Sequence, residues 1–254
     1  MLLKKLQTAV EVLAAAGPRG VLDVLAEKKR RSSALLDNCE FDLRGLKDEG
    51  LRNGFLFGDY EQFERRAVLR YLSPQLPVIE LGACLGVVSC IANKLLHDPR
   101  RHVVVEANPA VIPFLKRNRR RNGCRFRVLN FAIAYDRRAI EYAPTDDFAG
   151  NALTETAGRR KIRVRTTRLK EIADRNGFDR FTLICDIEGH EREMIEREAE
   201  VLRRADLIVL ETHARLIGDD VTAALLVRLQ GLGFELLERD SYVVVLRNAA
   251  SRTG

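Results

Sequence analysis

The chain has 254 residues, 46% hydrophobic and 31% charged, with a formal net charge of +7. That composition suits a globular protein able to bury a core without a disulfide or metal staple, and no run is long and apolar enough to predict a membrane span. Five scattered cysteines without a CxxC pair argue against a disulfide framework or zinc site and for a reducing compartment, so a cytoplasmic protein is expected. The basic balance favours acidic partners such as phosphates, nucleotide sugars, nucleic acid or anionic membrane, but a merely solvated basic surface reads the same way.

In chain order, MLLKKLQTAVEVLAAAG repeats Leu2, Leu3, Leu6, Val10 and Leu13 at helical spacing, while Lys4, Lys5, Gln7 and Glu11 interrupt any signal-peptide core. An amphipathic helix is predicted here, not an export signal. Residues 1–55 read as helices broken at Gly17, Pro18, Arg19 and Gly20 and by the polar run 28–33. They form an expected N-terminal cap or arm, a surface for homo-oligomerisation, ahead of a main domain at 56–254. A helix then begins within GDYEQFERRAVLRYLSP. Asp59 can cap it, Gln62 takes the capping-box position, and Ser73 before Pro74 marks its exit.

From there strands and helices alternate. VIEL at 78–81 is a first strand, followed by a helix through Leu95. HVVVE at 102–106 is a second, with a helix over 110–120, and 125–131 is a third. FTLICD, ending at Asp186, is a fourth strand and DLIVLE, ending at Glu211, a fifth, each with a helix after it, the last over 219–231. The pattern predicts an α/β fold, a doubly wound and mostly parallel seven-stranded sheet. Residues 137–166 read as an inserted β-hairpin with a long polar tip. FELLERDSYVVVLR closes the chain as two strands turning at Asp240 and Ser241.

In VIELGACLGVVSC an apolar strand ends in Glu80, and Gly82 and Gly86 lead into a helix. Doubly wound sheets bind nucleotides at such turns, where glycine lets the backbone turn sharply and approach a ligand. The offsets, 0 and 4, miss the 0, 2, 5 spacing of a dinucleotide fingerprint. They suit the acid-x-Gly-x-Gly-x-Gly pattern of S-adenosylmethionine (SAM) sites, with Cys84 in the middle glycine's place. A tight turn with no ligand is the plainer alternative. Glu106 ends the second strand about 20 residues further on, where an acid can accept both ribose hydroxyls of a bound adenosine.

Three segments, YEQFERRAVLRYLSPQLPVIELGACLG, VVVEANPAVIPFLKRN and TLICDIEGHEREMI, with LIVLETH downstream, together resemble the FkbM-type family of class I SAM-dependent methyltransferases. The resemblance spans about 54–247. Its most specific block is Asp186-x-Glu188-Gly189-x-Glu191, and the inserted and closing hairpins fit it. The resemblance implies SAM as cofactor and methyl transfer to a hydroxyl oxygen of a carbohydrate or glycosylated natural product. It implies that Glu80, Gly82, Ala83, Cys84 and Gly86 line the methionine part of SAM, that Glu106 and Ala107 hold the ribose, and that Ala132 lies near the adenine. Cys84 stands where the family usually has Asn. Tyr60 and Glu61 match a family Tyr-Glu pair that closes over the cofactor; Glu61 reads equally as an acid favouring a helix N-terminus.

Methyl transfer needs an aligned nucleophile in a dry site, and an alcohol oxygen gains from a base or a metal. Asp186 is the expected substrate-orienting group or base, with His213 or His190 assisting. Glu188 and Glu191 read equally as acids complementing a helix dipole. Asp186, Glu188, Glu211 and His213 offer metal donors, but no HxxxH-like spacing is present, so no metal is assigned. The run KRNRRRNGCRFR over 116–127 raises nucleic acid as a partner. With no Trp in the chain and only Phe126 in the run, a solvated helix end is the simpler reading. The expected partner is a small-molecule or saccharide acceptor. The rivals are an RNA methyltransferase and an inactive SAM-binding scaffold, and a nicotinamide oxidoreductase ranks last.

Overall fold

The computed structural model describes residues 31–142, 162–240 and 242–253. The N-terminal amphipathic helix, the break at 17–20, the first half of the polar run 28–33, the long hairpin tip and Ser241 lie outside them.

The first described elements correct the expectation of helices up to residue 55. β1 (Ser33–Leu36) and β2 (Cys39–Asp42) form an antiparallel hairpin. Asp37 and Asn38 between them both have positive φ, 45° and 62°, as a two-residue turn matched to strand twist requires. Ala34, Leu36, Cys39 and Phe41 are buried while Leu35 is exposed, the period-2 alternation of a one-sided strand. α1 (Glu49–Phe57) follows; the Asp48 carboxylate caps it by accepting from the Leu51 amide at 2.6 Å, and it ends at left-handed Gly58. The boundary expected at 55/56 therefore falls inside a helix.

α2 (Gln62–Tyr71) starts differently from the capping-box expectation. Its N-cap residue is Glu61, at φ 48°, and no side chain caps it; the Gln62 amide bonds the Asp59 carbonyl instead. Next come β3 (Val78–Leu81), α3 (Val87–Leu95), β4 (His102–Glu106), α4 (Ile112–Arg121) and β5 (Arg127–Asn130). The insertion follows as β6 (Ala132–Ile133), β7 (Ala139–Tyr142) and β8 (Ile162–Thr167), with β8 parallel to β6 and antiparallel to β7. The chain continues through α5 (Leu169–Asn176), β9 (Phe181–Cys185), α6 (Glu191–Arg197), α7 (Ala199–Leu202), β10 (Ala205–Glu211), α8 (Ala214–Ile217) and α9 (Asp219–Gly231). It closes with β11 (Phe234–Asp240), β12 (Val243–Asn248) and a 3₁₀ turn (Ala249–Thr253). No helix among the described residues is long and apolar enough to cross a membrane.

The main sheet has seven strands in the order β11-β12-β10-β9-β3-β4-β5, and only β12 runs against the rest. The chain winds outward from β3 to β5, then returns to place β9 on β3's other side. The order reverses between β3 and β9, which opens a crevice at their carboxyl ends. Side chains alternate across the sheet into two cores. Val78, Val104, Ile184 and Val209 meet the helices α1–α4 on one face; Ile79, Leu81, Val105, Leu183 and Ile208 meet α5–α7 and α9 on the other. The N-terminal hairpin and α1 belong to the first core, through Phe41 and Phe55.

The basic run 116–127 is largely tied to this packing. Arg117 pairs with Asp42 at 2.9 Å and Arg121 with Glu40 at 2.6 Å. Asn118 accepts from the Asp42 amide and donates to the Leu85 carbonyl. These side chains clamp α4 to the hairpin and to the loop after β3.

Glycine is compulsory at one point of that loop. Gly82 has φ +78°, and a Cβ there would lie 1.5 Å from the Asp186 carbonyl oxygen. Gly177 has φ +62° but open space around it. Gly177→Ala should therefore cost about 1 kcal/mol, the left-handed penalty alone, whereas Gly82→Ala should cost more than about 3 kcal/mol or abolish folding. Urea unfolding of the two variants compares them, and equal losses would contradict the close approach.

Candidate active site

The crevice is built from the carboxyl ends of β3, β4, β9 and β10. On the β3 side the loop from Gly82 to Gly86 turns through three left-handed residues, Gly82, Cys84 (φ 44°) and Gly86 (φ 78°). A Cβ at Gly86 would meet Leu115 Cδ1 at 2.2 Å. Left-handed backbone at Cys84 is a strain that Asn or Gly would ease. The loop is held by Glu106, which ends β4: Oε2 accepts from the amides of Ala83 (3.1 Å) and Cys84 (2.8 Å), and Oε1 accepts from Asn108 (2.6 Å). Burial pushes the Glu106 carboxyl up while these amide bonds pull it down, and burial wins. Asn130 donates to the carbonyls of Glu106 and Ala107, and buried Ala132 begins β6 just beyond. Most of the expected cofactor residues thus lie along one rim.

Glu80 sits apart. It is 2% exposed; one oxygen accepts from Ser89 Oγ at 2.8 Å and the other lies 3.1 Å from His102 Nε2. Its carboxylate is engaged below the loop, within the core between sheet and α3. It braces the turn from within the core.

Tyr60 and Glu61 approach from before α2. The Tyr60 ring stacks on Phe55 at 4.5 Å, and its hydroxyl hydrogen-bonds with Cys84 and Glu61. Glu61 has left-handed backbone, and its buried Oε2 has no hydrogen-bond partner. Burial, then Glu64, raises its carboxyl well above the ordinary range.

On the other side of the crevice β9 ends at Asp186, whose amide bonds the Leu81 carbonyl at 2.8 Å. Glu188 follows at φ 53°, then Gly189 at φ 95°. Glu191 is 1% exposed and accepts from the amides of Ile187 (2.9 Å) and Gly189 (2.8 Å). It fixes the loop at the start of α6. His213, two residues past the end of β10, has a side chain only 10% exposed and stands among the acids. Its Nδ1 is 3.0 Å from Glu191 Oε1. Its Nε2 is 3.3 Å from Glu188 Oε2, 3.4 Å from Asp186 Oδ1 and 3.7 Å from Glu211 Oε1.

Glu64, on the buried face of α2, adds a further carboxylate that hydrogen-bonds Glu211. Burial, then Glu64, pushes Glu211 up to about 8. Burial, followed by Glu211, Glu188 and Glu61, pushes Asp186 well above the usual carboxylate range. Burial opposes charge on His213, but Glu191, Glu188 and Glu211 outweigh it and raise its pKa.

His190 does not join this group. It heads α6 half-buried, burial lowers its pKa, and its ring makes no ion pair among the described residues. The sequence reading also passed over Glu64. Its signal was present: an acid on the same helical face as Ala67, Val68 and Tyr71.

The arrangement gathers carboxylates from α2, β9, α6 and β10 around one imidazole at the end of a nucleotide-type crevice. Ligand atoms of Asp186, Glu211 and His213 lie within 4.8 Å of one another. Such a site favours a cation, whether a sulfonium, an ammonium or a metal ion, and Glu61 Oε2 and Asp186 Oδ1 are buried acceptors with no hydrogen bond of their own.

A family model described as "Methyltransferase FkbM domain" matches residues 80–236. No curated protein matches the chain. Among solved structures it is similar to precorrin-6y C5,15-methyltransferase from Geobacter metallireducens GS-15, at 18% identity over 73% of this chain and 89% of that one, TM-score 0.46. It is also similar to ribosomal protein L11 methylase from Lactobacillus delbrueckii subsp. bulgaricus, at 12% identity over 73% and 75%, TM-score 0.42. A third is TYW2 from M. jannaschii in complex with AdoMet, at 13% identity over 82% and 80%, TM-score 0.41.

The raised carboxyl of Glu211 gives stability a definite pH dependence. Its folded pKa, about 8, exceeds its ordinary value of 4.5, so the folded state holds a proton that the unfolded state releases. Stability falls as pH rises between those values. In chelator-containing buffer Glu211→Gln should stabilise the protein by roughly 2 kcal/mol at pH 8.5 and by little at pH 5. Denaturant titrations at both pH values measure this; a gain independent of pH would contradict it.

Proposed function

The chain belongs to the methyltransferase FkbM family, and from that premise we propose that it methylates a hydroxyl oxygen of a carbohydrate or a glycosylated natural product. It is a SAM-dependent methyltransferase. One observation carries it: the Gly82–Gly86 loop of β3 and the acids ending β9 and β10 meet at a single crevice, joined by the Gly82–Asp186 contact.

The residues fit the cofactor. A glycine turn leads into α3, the acid Glu106 ends β4, and the unpartnered oxygen of Glu61 suits a ligand bearing positive charge. SAM supplies an electrophilic methyl on a sulfonium whose thioether leaves readily. The protein has to bind, align and exclude water. Glu106, Ala107 and the loop amides would hold the ribose, Ala83, Cys84 and Gly86 the methionine portion, and Ala132 would flank the adenine. Tyr60 and Glu61 would cover the crevice from the α2 side.

Asp186 would orient the acceptor hydroxyl, and His213, 3.4 Å away, would receive its proton, with the Glu191 carboxylate 3.0 Å behind the ring at Nδ1. His190 is left out of this assignment because it stands apart from the acids.

A second reading, a phosphate-bearing acceptor such as RNA, is favoured by one feature. A cavity of about 400 Å³ is lined by Arg137, Arg138, Arg165 and Arg168, with Asp136 and Glu171 beside them. The run 116–127 lends it less, since Arg117 and Arg121 are paired with protein carboxylates.

Isotope-labelled SAM incubated with glycoside and RNA panels tests the proposal. Label should appear as an ether methyl on a sugar hydroxyl, and Asp186→Asn should lower turnover by about 100-fold with SAM affinity retained. Label on RNA would select the second reading, and wild-type turnover by Asp186→Asn would remove Asp186 from the mechanism.

A further inference from the structure

The carboxylates around His213 are more than a surface cluster. The His213 side chain is nine-tenths buried, and its Nδ1 makes no hydrogen bond; Glu191 Oε1 is 3.0 Å away but out of line. Its Nε2 faces three carboxylate oxygens at 3.3–3.7 Å. Asp186 Oδ1 is buried and also lacks a hydrogen bond. Carboxylates thus face both ring nitrogens, and a neutral imidazole has only one N–H, so one nitrogen turns a lone pair toward acceptors. Only a proton or a metal ion between them resolves it.

The spacing favours the metal. Bonds of about 2.0–2.2 Å to nitrogen and oxygen place neighbouring donors of one ion roughly 2.9–3.6 Å apart. The distances from Nε2 to Asp186 and Glu211, 3.4 and 3.7 Å, nearly match this without rearrangement. The donors come from the ends of two adjacent strands, β9 and β10, so the sheet sets their separation. Behind them, Glu191 stands at Nδ1 with both oxygens already held by the Ile187 and Gly189 amides. A carboxylate behind a histidine is the usual outer partner of a metal-bound imidazole.

We propose that Asp186, Glu211 and His213 hold a divalent transition cation of the Mn²⁺ or Zn²⁺ class. One imidazole and two carboxylates suit such ions better than the all-oxygen preference of Mg²⁺ or Ca²⁺. The sequence alone assigns no metal here, because no local spacing motif marks these donors. The cation would lie where the acceptor hydroxyl is placed above, so Asp186 and His213 would act on that hydroxyl through it. Glu188 remains as the adjacent carboxylate.

The test is Mn²⁺ binding to the chelator-treated full chain, followed by electron paramagnetic resonance and calorimetry with Mg²⁺ as control. One Mn²⁺ should bind per chain, more tightly than Mg²⁺. Asp186→Asn and His213→Ala should each weaken it at least about tenfold. Asp186→Asn relieves repulsion among the acids, so its metal-free melting temperature should equal or exceed that of the wild type, which separates lost binding from lost fold. Absence of saturable binding at millimolar Mn²⁺ or Zn²⁺ would overturn the site, as would equal affinity in both variants. SAM titrated into the metal-free protein is read separately. Cofactor binding without Mn²⁺ binding removes only the metal site, whereas Mn²⁺ binding without cofactor binding leaves the site standing and removes the methyl-transfer reading.

Discussion

The carbonyl oxygen of Asp186 occupies the place where a side chain on residue 82 would begin. That contact joins the two halves of the sheet at the point where strand order reverses. The Asp186 amide bonds the Leu81 carbonyl and the Gly82 amide bonds the Val105 carbonyl, so the ends of β9, β3 and β4 are laced together by backbone alone. Side chains need not bridge the crevice, and Glu106 can brace the glycine loop while Asp186 faces it from the end of β9. A bulkier residue at 82 would part the strands and separate the glycine loop from the acids. The site is therefore a consequence of how closely two parallel strands approach at their ends.

The same region concentrates unfavourable terms. Of the six non-glycine residues with positive φ among those described, Glu61, Cys84 and Glu188 surround the crevice, and each such conformation costs on the order of 1 kcal/mol. Asp186, Glu211, Glu61 and Glu64 all have raised carboxyl pKa values, because burial and their neighbouring acids disfavour the charged forms. A fold selected for stability alone would carry apolar residues here. The two cores beneath the sheet offset the cost, and the strain and charge lie where a cationic ligand would relieve them.

Much of the architecture was legible because parallel buried strands read as short apolar runs, and four of them end in an acid at one edge: VIE, HVVVE, TLICD and DLIVLE. The seven-stranded order and closing hairpin agree with that reading. What escaped it depended on distant partners or on mirror-image backbone. LLDNCEF reads as helix because its Asp37-Asn38 turn carries no glycine, although both residues tolerate the left-handed region. Glu80 looked like a ligand contact, yet His102, from the neighbouring strand, and Ser89 claim its oxygens. No local pattern announces that pairing. His190 and His213 were indistinguishable by type; only the strand end that carries His213 sets it among the acids. Glu64 was hidden in a helix whose exposed face drew the attention its buried face required.

The central claim is that the rim from Gly82 to Glu106 is a binding site for S-adenosylmethionine. Titration calorimetry of SAM and S-adenosylhomocysteine into the wild-type protein and Glu106→Ala, with NADH as control, tests it most directly. The account predicts saturable one-to-one binding of both ligands by the wild type, none of NADH, and loss of both on changing Glu106. A well-folded wild-type protein that binds neither ligand, or a Glu106 variant that binds them as tightly, would contradict it.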